Sequence, residues 1–247
     1  MFARRPLNHE TMTIDSTTTY PMKNIKAILF DMDGTLVDSE KLTERALLAL
    51  LTERGISTVG LDLVQFHGVT WKRIATRLRQ LVPDLAVDDT QLAADIEARF
   101  QVLFENEPPT LIPGAREAFV AAARVFPETT TIVTGSEARA VEVLLDRARL
   151  RDCCVGYTSS DQYQQSKPDP ESYLMAARRL GVAAEHCLVF EDSLPGLLAA
   201  QAAGMLRIAI TCGSPDRVRQ AQDLAHLGID DYTALPADFF DSVSRTD

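Results

Sequence analysis

Asp31 and Asp33 stand two positions apart behind the apolar run Ala27-Ile28-Leu29-Phe30, and Gly34-Thr35 follows them. Carboxylates this close repel one another, and a divalent cation is the simplest compensation. Oxygen ligands with no neighbouring His or Cys favour magnesium over zinc. An Asp-x-Asp-Gly sequence also fits an ordinary surface turn, so the choice depends on what the rest of the chain brings alongside.

The apolar run does not alternate, which reads as a buried parallel strand rather than an amphipathic one. Behind the acids, Asp38 and Ser39 are good N-caps for a helix from Ser39 to Arg54. That helix carries Leu42, Ala46, Ala49 and Leu50 on one face and stops at Gly55. Further strands read as Thr129 to Val133, Cys153 to Thr158, Cys187 to Phe190 and Leu206 to Ile210, with helices between them. Thr134-Gly135-Ser136 follows the second strand, with Ser136 expected to cap the next helix, whose marked positions are Ala140, Val143, Leu144 and Arg147. Glu191-Asp192 follows the fourth strand. Lys167 is the only lysine after Lys72 and directly precedes Pro168, and Asp169 should cap a helix begun by Pro170 and ended at Gly181.

Strands alternating with helices imply right-handed crossovers and a parallel sheet covered on both faces. Ligands bind beyond the carboxyl ends of such strands. Asp31, Thr134 and Asp192 all fall on that one edge, and this convergence favours a site over a surface turn. From Gly55 to about Thr110 no buried strand is legible. Helical patterns over Trp71 to Leu81 and Thr90 to Phe104, the second with Leu92, Ile96, Phe100 and Leu103 in register, indicate an all-helical insertion placed to cover the site.

Composition narrows the partners. The 247 residues are 46% apolar with a formal net charge of −10, enough for a full core and ill suited to nucleic acid or an anionic membrane surface. No apolar run approaches the roughly 20 residues of a membrane span. Cys153, Cys154, Cys187 and Cys212 form no C-x-x-C pair and read as reduced thiols, which suits a cytoplasmic location. Residues 1–22 lack the apolar stretch of a signal peptide and read as a flexible leader, with Met12 or Met22 as other candidate starts. A monomer or weak homodimer is expected.

Asp31-Met32-Asp33-Gly34-Thr35-Leu36-Val37-Asp38-Ser39-Glu40 resembles the signature of the haloacid dehalogenase superfamily of phosphohydrolases. Thr134, Lys167 before Pro168, and Glu191-Asp192-Ser193 resemble its later motifs in family order. The resemblance implies an α/β fold with a Rossmann-like core over 23–40 and 110–247 and a helical cap over 41–109. It implies Asp31 as nucleophile, Asp33 as general acid/base, and Thr134 and Lys167 as partners of the phosphoryl group. It further implies Mg2+ held by Asp31, the Asp33 carbonyl and Asp192, with Glu191 beside it as a direct ligand or a partner of the ligands. The dehalogenases proper lack the second carboxylate, so Asp33 points to phosphate esters and a small phosphorylated metabolite.

Within the insertion, Phe66-His67-Gly68-Val69-Thr70-Trp71-Lys72-Arg73-Ile74-Ala75 resembles the substrate loop of β-phosphoglucomutases and of bacterial fructose-1-phosphate phosphatases. Mutases of that type carry His where this chain has Thr43 and Arg where it has Trp71, and without that Arg a second phosphate lacks its clamp. Sugar-phosphate hydrolysis is therefore the expectation and a phosphosugar mutase the alternative. A phosphometabolite-binding protein without turnover is a second alternative. Ser39, Thr43, Gly68, Trp71, Lys72, Gly135 and Ser136 are candidate substrate contacts, Trp71 either stacking on a sugar or packing between helices.

Overall fold

The computed structural model describes residues 22, 24–66, 71–83, 85–107 and 110–244. The strands among them are β1 (Ala27–Phe30), β2 (Thr130–Val133), β3 (Tyr157–Thr158), β4 (Cys187–Glu191), β5 (Leu206–Ile210) and β6 (Leu227–Ile229). The helices are α1 (Ser39–Glu53), α2 (Trp71–Leu81), α3 (Asp89–Asn106), α4 (Ala115–Val125), α5 (Ala138–Arg147), α6 (Glu171–Leu180), α7 (Leu194–Ala202), α8 (Pro215–Leu224) and α9 (Phe239–Ser244). No helix among the described residues is long and apolar enough to cross a membrane.

All strands pair in parallel in the order β3-β2-β1-β4-β5-β6. β1, β2 and β4 are buried along their whole length, as strands covered on both faces should be. Alternate side chains of β1 feed the two faces. Ile28 and Phe30 join Phe119, Val141, Leu144, Tyr232 and Phe239 on one side. Ala27 and Leu29 join Tyr173, Ala177, Ala199 and Ala200 on the other, where small residues let α6 and α7 approach closely. Phe30 stacks on Phe190 at 4.8 Å directly beneath the acids. Each such ring, fully enclosed, contributes about 2–3 kcal/mol by burial.

The register decides the site. Phe30 is level with Phe190 and Ile132, so Asp31 leaves the sheet level with Glu191 and one residue short of Thr134. The strand order also changes direction at β1 and β4, the place where α/β sheets open a crevice.

α1, α2 and α3 pack on one another through Leu47, Leu50, Leu51, Ile74, Leu78, Leu92 and Ile96. The segments entering and leaving this layer lie side by side. The Asp38 N–H donates to Thr110 O at 2.8 Å and the Ile112 N–H to Leu36 O at 3.0 Å. Asp38 caps α1 as expected, its Oδ1 accepting from the Lys41 N–H.

The structure departs from the sequence reading in detail. The buried face of α1 is Thr43, Ala46, Leu47, Leu50 and Leu51, rotated from the expected one because both the sheet layer and α3 need covering. In α5, Val141 and Leu145 are buried with Ala140 and Leu144, while Arg147 is exposed. The third strand shrinks to Tyr157–Thr158, since it lies at the sheet edge and pairs only with β2. β6, a sixth strand missing from the sequence reading, is too short at three residues to show a pattern. Met22, placed in the leader, is buried beside Ile25; the rest of that leader and Gly68 lie outside the described residues.

Candidate active site

Asp31 is buried at the end of β1, and its Oδ1 accepts from Lys167 Nζ at 2.6 Å. Lys167 spends its other donors on Glu191 Oε1 at 2.7 Å and Val133 O at 3.2 Å. An ammonium only 10% exposed, with three acceptors, is fixed in place. Burial pulls the Lys167 pKa down, but the Asp31 and Glu191 carboxylates outweigh it and hold the group well above the usual range. The Tyr173 ring lies 4.8 Å from Nζ, and its hydroxyl donates to Glu191 Oε1 at 3.1 Å.

Glu191 is completely enclosed. Its Oε2 accepts from the N–H groups of Asp192 and Ser193, each at 2.9 Å, and from Ser193 Oγ at 3.0 Å. Burial pushes its pKa up, and Lys167 together with the Ser193 donors more than reverses this. Gly196 leaves room for it, because a Cβ there would overlap Glu191 Oε1.

Asp33 turns the other way. Its Oδ2 accepts from Ser136 Oγ at 2.6 Å and, at 3.4 Å, from Thr134 Oγ1. Burial raises its pKa, and these two hydroxyls partly offset the rise. Ser136 is therefore not the expected helix cap. Glu137 occupies the cap position of α5, and Asp161 Oδ1 accepts from the Ala138 N–H instead. Thr134 is held by Tyr163, whose hydroxyl donates to its carbonyl at 3.0 Å.

Asp192 completes the group. Its Oδ1 accepts from Thr35 Oγ1 at 3.1 Å, and Arg217 donates to its Oδ2 at 2.7 Å. Gly34, at φ 77°, brings the chain so close that a Cβ would sit 2.2 Å from Asp192 Oδ2. Burial, against the pull of Arg217, moves the Asp192 pKa up to about 7. Asp31 is raised well above the usual carboxylate range, first by burial and then by Glu191, with Lys167 opposing.

These facts test whether a cation fits. Oxygens of Asp31, Glu191 and Asp192 lie within 4.8 Å of one another. At that spacing each carboxylate pair repels by about 3–4 kcal/mol in an effective dielectric of 20. Among the described residues, Asp31, Asp33, Glu191 and Asp192 face Lys167 and Arg217, the latter shared with Glu40, and the donors are hard oxygens, so the cluster suits a divalent ion of the magnesium type.

The structure thus brings together Asp31, Asp33, Thr134, Ser136, Lys167, Glu191 and Asp192, every one singled out from the sequence. The remaining candidates differ. Thr43 is buried and returns its hydroxyl to Ser39 O at 3.0 Å, within α1. Ser39 is half-buried at the start of α1, Gly135 is exposed beside the site, and Lys72 is exposed on α2. Trp71 packs its ring on Phe100 at 5.1 Å, between α2 and α3. Sequence reasoning missed Thr35, Tyr163, Tyr173 and Arg217. Tyr173 is one of several residues along α6, and nothing in its neighbourhood marks it as the partner of a lysine six positions earlier.

The model of haloacid dehalogenase-like hydrolases matches residues 25–204, which include all of these acids and Lys167. The chain belongs to that hydrolase family. It is 31% identical over 197 residues to hexitol phosphatase B of Escherichia coli strain K12, covering 76% of this chain and 84% of the relative. Fructose-1-phosphate phosphatase YqaB of the same organism is 30% identical over 179 residues, covering 72% and 92%. Among solved structures, a haloacid dehalogenase family hydrolase of Deinococcus radiodurans, crystallised with phosphate and sodium, superposes with a TM-score of 0.71 at 25% identity over 89% of this chain and 96% of that one. A putative β-phosphoglucomutase of Thermotoga maritima shares the fold, with a TM-score of 0.69 at 24% identity over 88% and 97%.

Proposed function

We propose that this hydrolase is a Mg2+-dependent phosphatase of a small phosphorylated metabolite, a sugar phosphate, acting through an aspartyl-phosphate on Asp31. The observation that carries the reading is the division of labour between two carboxylates two residues apart. Asp31 is pinned by Lys167 as a nucleophile needs to be, and Asp33 is held by Ser136 and Thr134 with a raised pKa, as a proton carrier needs to be.

Asp31, Asp192 and the carbonyl of Asp33 would hold the ion. When bound, Mg2+ supplies positive charge that lets an anionic nucleophile approach an anionic phosphate. Asp31 attacks phosphorus, the ester P–O bond breaks, and Asp33 gives its proton to the leaving oxygen. Asp33 then takes a proton from water as that water attacks the acyl phosphate, which releases inorganic phosphate and restores Asp31. Lys167 orients Asp31 and places an ammonium beside the phosphoryl oxygens, and Thr134 offers them a hydroxyl. Glu191, whose two oxygens accept from five protein donors where those of Asp192 accept from one each, keeps Lys167 in position. The helices over 41–109 form the cap and the residues over 23–40 and 110–247 the catalytic core. The relatives named as sugar phosphatases, at about 30% identity, support a sugar phosphate as substrate.

The test is phosphate release from a panel of sugar phosphates with and without Mg2+, with conversion of glucose 1-phosphate to glucose 6-phosphate followed in parallel. Metal-dependent release that drops at least about a thousandfold in Asp31→Asn is the expected result. Isomer conversion without release would replace the phosphatase with a mutase. No release and no conversion would leave a binding protein.

A further inference from the structure

Arg217 is the second cation of the site, and no motif announces it. The family match ends at residue 204, so Arg217 comes from the segment beyond it. Its guanidinium donates to Asp192 Oδ2 at 2.7 Å and to Glu40 Oε1 at 3.2 Å, with side-chain exposures of 15% for Arg217, 6% for Asp192 and 17% for Glu40. Ser214 aims it: the Ser214 hydroxyl accepts from the Arg217 N–H at 3.4 Å and fixes the first turn of α8. Glu40 lies in the first turn of α1, where the chain leaves the sheet for the helical layer.

We propose that Arg217 is a positioning residue that competes with the divalent cation for Asp192, with Glu40 as the second carboxylate that draws the guanidinium aside. This rests on the metal reading above. A guanidinium and a divalent ion carry like charge, and both seek the same carboxylate oxygens. With Oδ1 taken by Thr35 and Oδ2 by Arg217, each oxygen of Asp192 already has a donor. Arg217 therefore lowers the affinity for the ion while keeping Asp192 oriented. Glu40 works in the opposite sense, because it gives Arg217 a place to go on the α1 side. The arrangement links occupancy of the metal site to the base of the helical layer.

The test titrates Mg2+ into the full chain, read by calorimetry and by the metal-dependent rise in melting temperature, neither of which needs turnover. Arg217→Gln should bind Mg2+ more tightly, on the order of tenfold, because a like charge is removed, and Arg217→Lys, which keeps that charge, should stay near the parent value. Glu40→Gln should bind more weakly, and by less than half that change when Arg217 is already Gln, since Glu40 acts through Arg217. Opposite signs from the two single variants separate competition from general loosening, which would weaken both. Should Arg217→Gln not fold, Glu40→Gln and Arg217→Lys still decide: tighter binding in Glu40→Gln overturns the proposal. Parent protein that binds Mg2+ while Arg217→Gln binds equally or more weakly overturns this proposal alone. Parent protein that binds no Mg2+ overturns the metal reading and this proposal with it.

Discussion

The carboxyl edge of the sheet and the helical layer use charge in opposite ways. At the sheet edge, Lys167 and Asp31 are 10% and 8% exposed, and Lys167 reaches Asp31 and Glu191 from a loop far along the chain. In the layer, Arg45 pairs with Glu107 at 50% and 35% exposure, and the pairs Arg79–Asp89 and Arg99–Glu53 also lie near water. Buried charges are expensive, so they persist only where each has partners fixed by the surrounding fold. Exposed pairs cost little and determine little. The candidate site accordingly sits where removal of one group leaves others stranded, and the layer is held by its apolar seam of Leu47, Leu50, Ile74, Leu92 and Ile96.

The sharpest way to break this comparison is Lys167→Met. It strands Asp31 and Glu191 without their cation, so urea unfolding should show a loss of about 3–5 kcal/mol, and phosphate release should fall at least about a hundredfold. A stability unchanged within 1 kcal/mol would mean that the buried pair is not what orders the edge. Ser136→Ala tests the finer arrangement. The Ser136 hydroxyl holds the Asp33 pKa down against burial, so its loss should raise that pKa further. The limb of the pH–rate profile set by Asp33 should then move to higher pH, with the maximal rate down about tenfold and the folded structure unchanged. A profile that does not move would take Asp33 out of the proton-transfer role. The smallest effect belongs to the layer: Arg45→Ala should cost no more than about 1 kcal/mol and leave phosphate release intact. A larger loss would show that the surface pair anchors the layer after all.

Much of the site was legible because its residues follow strands. Asp31 after Phe30, Thr134 after Val133 and Asp192 after Glu191 need only an unbroken apolar run and the direction of the chain to be placed on one edge. Lys167 was legible from its isolation before Pro168. Ser136 was marked for two roles, and the one drawn from local pattern failed: a serine two residues past a strand looks like a cap, and only the approach of Asp33 shows where its hydroxyl goes. Trp71 was ambiguous for the same reason. Whether a ring faces a ligand or a neighbouring helix depends on the angle between α2 and α3, which spacing along one helix does not contain.

By itself, then, the sequence determined the parallel sheet, the helical insertion and the acids at the strand ends, because each of these is written in periodicity or in position relative to an apolar run. Tertiary structure alone decided who partners whom. Glu191 meets Tyr173, Asp33 meets Ser136, and Asp192 meets Arg217, which in turn meets Glu40 177 residues before it in the chain. Such pairings follow from strand register and helix packing, and the attraction between two charges depends on distance and burial, neither of which exists until the chain has folded.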